Sequence, residues 1–209
     1  RHIMSITTYT ELKASIANWL NRDDLTSVIP DFIALAESEM DRKIRHWRMK
    51  IRANAAIDTR YTALPTDFLE NVRFHLDVDE RPLELVTPLF LQKKRNESND
   101  STGRPQYYAL VSGSFEVYPT PDTSYSGQIY YYAKTQKLSD SVANNWILTH
   151  YPDTYLYGAL LHSAPYLIDD ARIAVWAGLY QNAISGINGN NDKAKYGGSG
   201  LRMQINSYS

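Results

Sequence analysis

From Thr8 onward the apolar residues Leu12, Ile16, Trp19 and Leu20 return at intervals of three and four, which predicts an amphipathic helix. Thr8 and Glu11, three positions apart, read as a capping box that satisfies free N–H groups at its start. The polar cluster Asn21-Arg22-Asp23-Asp24 ends that helix in a turn. A second helix is predicted to begin within 26–30, with Pro30 in the first turn, where a missing N–H costs nothing. Its apolar stripe is Ile29, Phe32, Ile33, Ala36, Met40, Ile44 and Trp47. Asp31, Glu37, Glu39 and Asp41 come early and Arg42, Lys43 and Arg45 late, the favourable order along a helix dipole. Glu39–Lys43 and Asp41–Arg45 add pairs four residues apart. The two helices are expected to pair as an antiparallel hairpin.

At Arg48 the period changes to two. Met49, Ile51 and Ala53 alternate with Arg48, Lys50 and Arg52, predicting a strand with one wet, basic face. Phe74, Leu76 and Val78 alternate with His75 and Asp77 in the same way. Further strands are predicted at 83–86, Tyr107–Val111, Ser114–Tyr118 and 128–133, with Ser112-Gly113 as a hairpin turn. A short helix is expected at 88–94, Lys93-Lys94-Arg95 forming its solvated end. It is followed by the most disorder-prone internal segment, NESNDSTG at 96–103.

The last third returns to helix. Trp146-Ile147-Leu148 is an apolar anchor, Tyr151-Pro152-Asp153 a helix start, and 154–162 an aromatic-rich helix. Asp169 or Asp170 is expected to cap a further helix whose face is Ile173, Trp176, Ala177, Tyr180, Ile184 and Ile187. Beyond Ser185 glycine and asparagine argue against a continuous helix, although 190–195 retains some helical character. The end of the chain reads as a Gly-Gly-Ser-Gly tether followed by an extended segment in which Leu201, Met203 and Ile205 alternate with polar residues. Trp19, Ile33, Leu160 and Trp176 are expected to share one core that joins the two helical ends.

Composition narrows the function classes. A chain of 209 residues can bury a substantial core. Without cysteine, disulfides and thiolate metal sites are excluded. No apolar run has the length of a membrane span or a signal peptide, so a cytoplasmic site of synthesis is expected. Arg1-His2-Ile3 precede Met4, which reads as the initiator, and look like a cloning remnant. A formal charge of −1 argues against a chain built as a whole to bind nucleic acid. Sixteen tyrosines suit surfaces that are half buried or become buried on association.

Chemistry-bearing constellations are sparse. His46, His75, His150 and His162 stand apart at no metal-ligand spacing, and neither a phosphate-binding glycine loop nor a nucleophile elbow is present. No catalytic, cofactor-binding or metal-ligating residue is therefore assigned, and no cofactor is expected. The strongest electrostatic feature is the run Arg42, Lys43, Arg45, Arg48, Lys50 and Arg52, with no acidic residue among them. It reads either as a patch for phosphates or an acidic partner, or as a solvated helix end flowing into an exposed strand face. The near-zero net charge favours the second.

Three blocks carry a family resemblance: 29–37 (IPDFIALAE), 64–70 (LPTDFLE) and 146–172 (WILTHYPDTYLYGALLHSAPYLIDDAR). In this order the chain resembles the head-to-tail adaptor (connector) proteins of tailed bacteriophages, from Tyr9 to about Leu201. The resemblance implies an α+β fold in which N- and C-terminal helices form a bundle around a β-rich insertion, with an extended C-terminal tail. The expected domains are an N-terminal helical hairpin at 4–47, the insertion at 48–134, helices completing the bundle at 135–195, and a flexible tail at 196–209. The implied role is a virion structural protein at the head–tail junction, assembled in the host cytoplasm. Its implied partners are the portal protein, a downstream tail or nozzle protein, and its own copies in a ring of twelve, with double-stranded DNA passing through. The family's reach toward the portal or a neighbouring subunit falls on Tyr196, Leu201, Met203 and Ile205. Two other classes compete. A cell-wall hydrolase would need paired carboxylates, and the acidic residues here are spread over caps and helix faces. A tail-associated binding module would use tyrosines such as Tyr107-Tyr108 or Tyr130-Tyr131-Tyr132 as stacking platforms.

Overall fold

In the computed structural model, which describes residues 6–78, 81–167 and 171–196, helix α1 spans Tyr9–Leu20 and opens on the expected capping box. The Glu11 amide donates to Thr8 Oγ1 at 3.2 Å, and the Thr8 amide to Glu11 Oε2 at 3.0 Å. Tyr9, Leu12, Ile16 and Leu20 are buried, whereas Trp19 is 44% exposed. The buried row climbs in steps of three and four from Tyr9, which leaves position 19 at its margin, with the ring edge-on to Tyr157 at 6.1 Å. Trp19 therefore lies outside the core that was expected to include it. Asn21 ends the helix in the left-handed region, φ 53°, where asparagine is tolerated.

Helix α2 spans Ile29–Lys43 and buries Ile29, Phe32, Ile33, Ala36 and Met40. Ile44 turns extended and remains buried, so the helical register stops there. Trp47 consequently leaves the stripe; it sits in a 3-10 turn and is 46% exposed.

The chain divides into two compact units, one formed by Arg1–Arg48 with Thr135–Ser209, the other by Met49–Lys134. In the first, α4 (Trp146–His150) and α5 (Pro152–His162) follow one another, then α6 (Arg172–Tyr196). Helix α5 packs against α1, α2, α4 and α6. Its sequence PDTYLYGALLH is apolar nearly all round, the pattern of a central helix. Gly158 permits the closest approach, since a Cβ there would lie 2.9 Å from the Tyr180 ring and 3.1 Å from Ala36 Cβ. Ile33, Leu160 and Trp176 are all buried in this unit.

Helix α6 overturns the break expected after Ser185, continuing through Gly186 and Gly189 to Tyr196. Burial and side-chain bonding override the poor propensity. Ile187 is fully buried. Asn188 Nδ2 donates to the Lys43 carbonyl at 3.0 Å while its Oδ1 accepts from the Arg45 amide at 3.1 Å. One side chain thus closes the open end of α2. Asp169 and Asp170 lie outside the described residues, as does everything beyond Tyr196.

The second unit holds β1 (Lys50–Ile57), β2 (Tyr61–Ala63), β3 (Phe68–Leu76), β4 (Glu84–Leu85), α3 (Pro88–Glu97), β5 (Tyr107–Val111), β6 (Ser114–Tyr118) and β7 (Tyr125–Ala133). One sheet runs β1-β7-β3 and the other β2-β6-β5-β4. All pairs are antiparallel except β4 with β5. The β5–β6 turn has Ser112 at φ 44° and Gly113 at φ 81°. Two positive φ values in a two-residue loop match the right-handed twist of the strands. Ile57, Phe74, Leu76, Leu83, Phe115, Val117 and Ile129 fill one core.

Four expectations fail in this unit, the first on β1, where Ile51 of the predicted dry face is 38% exposed and Met49 lies in the 3-10 turn before the strand. Val78 lies past the end of β3 and is 67% exposed, while His75 is buried with its ring stacked on Tyr130 at 6.0 Å. Arg95 is 6% exposed rather than solvated. It donates to the Val117 carbonyl at 2.6 Å, to Asp100 at 2.6 Å and to Glu116 at 3.3 Å. Arg60 completes the cluster on Glu116 at 2.8 Å. Segment 96–103, read as disorder-prone, is tied to this buried guanidinium and through Gly103 to the Thr120 carbonyl, 2.8 Å away.

Candidate functional site

The basic run is divided by the fold. Arg42, Lys43, Arg45 and Arg48 belong to the helical unit, and Lys50 and Arg52 stand exposed on β1. Several of these cations have local partners. Lys43 pairs with Glu39 at 2.5 Å, and Arg45 donates to the carbonyls of Asp41 and Ile44 at 2.8 and 2.7 Å, completing the helix end. Arg48 lies over the Trp47 ring at 4.7 Å, and Lys50 over Tyr132 at 5.3 Å.

The tyrosine platforms are also used internally. Tyr108, Tyr131 and Tyr132 are buried. Tyr131 stacks on Phe68 at 5.6 Å and donates to Asp67 at 2.8 Å, its hydroxyl pushed up to about 12 by burial and by Asp67. Tyr107 packs on Phe90 at 5.4 Å. Tyr107 and Tyr130 are half-buried, Tyr130 with its ring stacked on His75 at 6.0 Å.

A buried polar cluster lies on α2, where the sequence showed only a dipole-favouring acid. Glu37 Oε1 accepts from the Leu138 amide at 2.7 Å and from the Tyr155 hydroxyl at 3.0 Å. Asn145 Nδ2 donates to Tyr155 Oη at 2.6 Å and to the Gln136 carbonyl at 2.8 Å, while its Oδ1 caps α4 by accepting from the Leu148 amide at 3.0 Å. Burial raises the Glu37 carboxyl above its ordinary range, opposed by the bonds from Leu138 and Tyr155. Burial and the neighbouring Glu37 raise the Tyr155 hydroxyl in turn. The cluster anchors the chain returning at 136–138 to α2. The signal was legible: an acid between Ala36 and Met40, inside an apolar stripe, and an asparagine directly before Trp146.

His162 binds Glu39 at 2.9 Å, and His46 stacks on Trp146 at 5.0 Å with its pKa lowered by burial, Arg48 and His150. Among the described residues no group of three or more His, Asp or Glu is placed to hold a metal. No helix among them is long and apolar enough to cross a membrane.

Surplus apolar surface is the remaining feature. In the helical unit Leu35, Trp47, Tyr166 and Val175 are 46–59% exposed, Leu35 and Val175 by more than half. In the β unit Leu89 on α3 is 73% exposed and Leu85 53%. Exposed one by one, such side chains are ordinary on a folded surface. The candidate contacts Leu201, Met203 and Ile205 lie outside the described residues, and Tyr196 ends α6. No curated protein matches the chain. The family model described as SU10 adaptor protein matches residues 7–204, across both units. With nearly its whole length matched, the chain belongs to this family of phage head-to-tail adaptors.

Proposed function

We propose that this protein binds the portal ring of a tailed phage, assembles on it as a ring of twelve copies, and extends the DNA channel toward a tail or nozzle protein. The observation that carries the reading is the adaptor-family match over 7–204, which includes both structural units. Charge supports it too. A channel wall must let DNA slide, and dense phosphate contacts would hold it instead. Here the formal charge is −1, and Lys43 and Arg45 of the basic run are engaged within their own unit.

In this reading the free protein is a monomer or weak oligomer and the portal templates the ring. The test is to mix the full chain with portal rings of the same phage, then sediment and image the mixture. The expected result is co-sedimentation and an added twelve-fold layer beneath the portal. A folded chain that stays in the supernatant overturns the proposal. Light scattering of the protein alone checks the templating, which a stable twelve-copy particle at micromolar concentration would disprove.

A further inference from the structure

The β unit has an opening that its own strands leave unfilled. Among the described residues strand β1 ends its sheet, paired on one side to β7 over eight residues without a bulge, and strand β2 ends the other sheet. Residues of both strands line a cavity of about 180 Å³, its wall including Ala53, Ala55, Ala63, Leu64, Phe74 and Phe115. That volume is similar to the roughly 150 Å³ apolar cavity that admits a benzene-sized guest. The space exists because β1 and β2 present alanines where larger side chains would close it. The hydroxyl of Thr62, also in the wall, is buried without a partner. Asn54 and Ala56 are exposed on β1. Among the described residues, no backbone hydrogen bond outside the β1–β7 ladder involves 50–57. A free strand edge beside an apolar hole suits strand addition: main-chain bonds hold an extended segment while alternate side chains enter the hole.

The chain contains a segment with the matching period. After Gly197-Gly198-Ser199-Gly200, the residues Leu201, Met203 and Ile205 alternate with Arg202, Gln204 and Asn206, so an extended backbone sets the three apolar side chains on one side. We propose that segment 201–205 of a second copy adds to the free edge of β1, with Met203 in the cavity and Leu201 and Ile205 beside its mouth. An unbranched thioether adapts to an irregular hole. The donor and acceptor are different surfaces, so the contact is head-to-tail and closes only as a ring or runs on as a filament. The choice of a second copy rests on the ring reading above; the acceptor site itself does not.

The acceptor is tested with the full chain carrying Leu201→Ser, Met203→Ser and Ile205→Ser, so that its own tail cannot compete. The probe is a fluorescent peptide of residues 199–209. It should bind saturably, while the same peptide with serine at those three positions should not. Adding Ala55→Leu to the acceptor chain, which fills the hole, should weaken binding at least about tenfold. Absence of saturable binding, or binding indifferent to Ala55→Leu, overturns the site. Because the natural sequence has no cysteine, a second test is clean even where Ala55→Leu does not fold. An Ala55→Cys chain mixed with a Met203→Cys chain should yield an oxidised dimer. Cross-linking seen only when both cysteines share one chain overturns the second copy as occupant. Co-sedimentation of the serine variant with portal rings, read separately, shows whether the portal reading stands when the strand addition fails.

Discussion

Asn188 shows how much structure one side chain can hold. Its amide donates to Lys43 and accepts from Arg45, closing the end of α2 from a helix 145 residues further on. Asn188→Ala leaves both backbone groups without that partner, one of them exposed and the other half-buried, and should cost about 0.5–1.5 kcal/mol in urea unfolding. Asn188→Asp keeps only the acceptor and should fall between. Glu37 gives a pH prediction. Its folded pKa is raised by burial, so the folded state holds the proton where the unfolded chain, near a pKa of about 4.3, has lost it. The native state then binds more protons in that window, and stability falls as pH rises from the unfolded value through the folded one. Glu37→Gln keeps an acceptor for Leu138 and Tyr155 and removes the titration. Its stability relative to the natural protein should therefore rise between the two pKa values and level off above them; a flat difference across that range would contradict the assignment. Glu37 stands out in the sequence as an acid inside an apolar stripe, whereas the role of Asn188 does not show there. Asn188 sits in a run of glycine and asparagine that reads as a breaker, and its partners on α2 are distant along the chain. Arg95 is a similar case, because nothing local announces that Glu116 and Val117 lie beside it.

At the scale of elements, glycine separates local propensity from packing. Gly186 and Gly189 lie within α6, and a Cβ at either would meet open space. Gly189→Ala should stabilise the fold by about 0.5–1 kcal/mol, the ordinary gain in a helix interior. Gly158→Ala in α5 should do the reverse, because overpacking against the Tyr180 ring and Ala36, about 1–3 kcal/mol, outweighs that gain. Thermal unfolding of the two variants should show midpoints moving in opposite directions. Elements with strong local signals were readable from the sequence. The capping box of α1 and the Ser112-Gly113 hairpin are chain-local, and both stand where their residues predicted. The misses are elements whose limits are set by distant neighbours. Helix α2 stops at Lys43 although its apolar stripe runs on to Trp47, and α6 continues where composition predicts a break.

For the whole molecule, the helical unit is built from both ends of the chain. Ile33 on α2 and Leu160 on α5 are buried in it, at 1% and 0% exposure. Ile33→Ala or Leu160→Ala should each cost on the order of 2–5 kcal/mol, whereas Trp19→Ala, at the margin, should cost far less. A loss under about half a kcal/mol for both core variants would mean that the two ends do not stabilise each other. The same discontinuity sets an order on the ribosome. Strands β1–β7 find all their partners within 50–133, so that unit can close soon after residue 134 has emerged. Helices α1 and α2 meet α5 and α6 only after some 20 to 60 further residues. During synthesis at about 5–20 residues per second, the apolar face of α2 waits for seconds without its cover. Nascent chains arrested at a length where residue 134 has left the ribosome and α5 has not should resist protease within the strands while α2 is still cut, and a chaperone that covers aliphatic helices would have its opportunity in that interval.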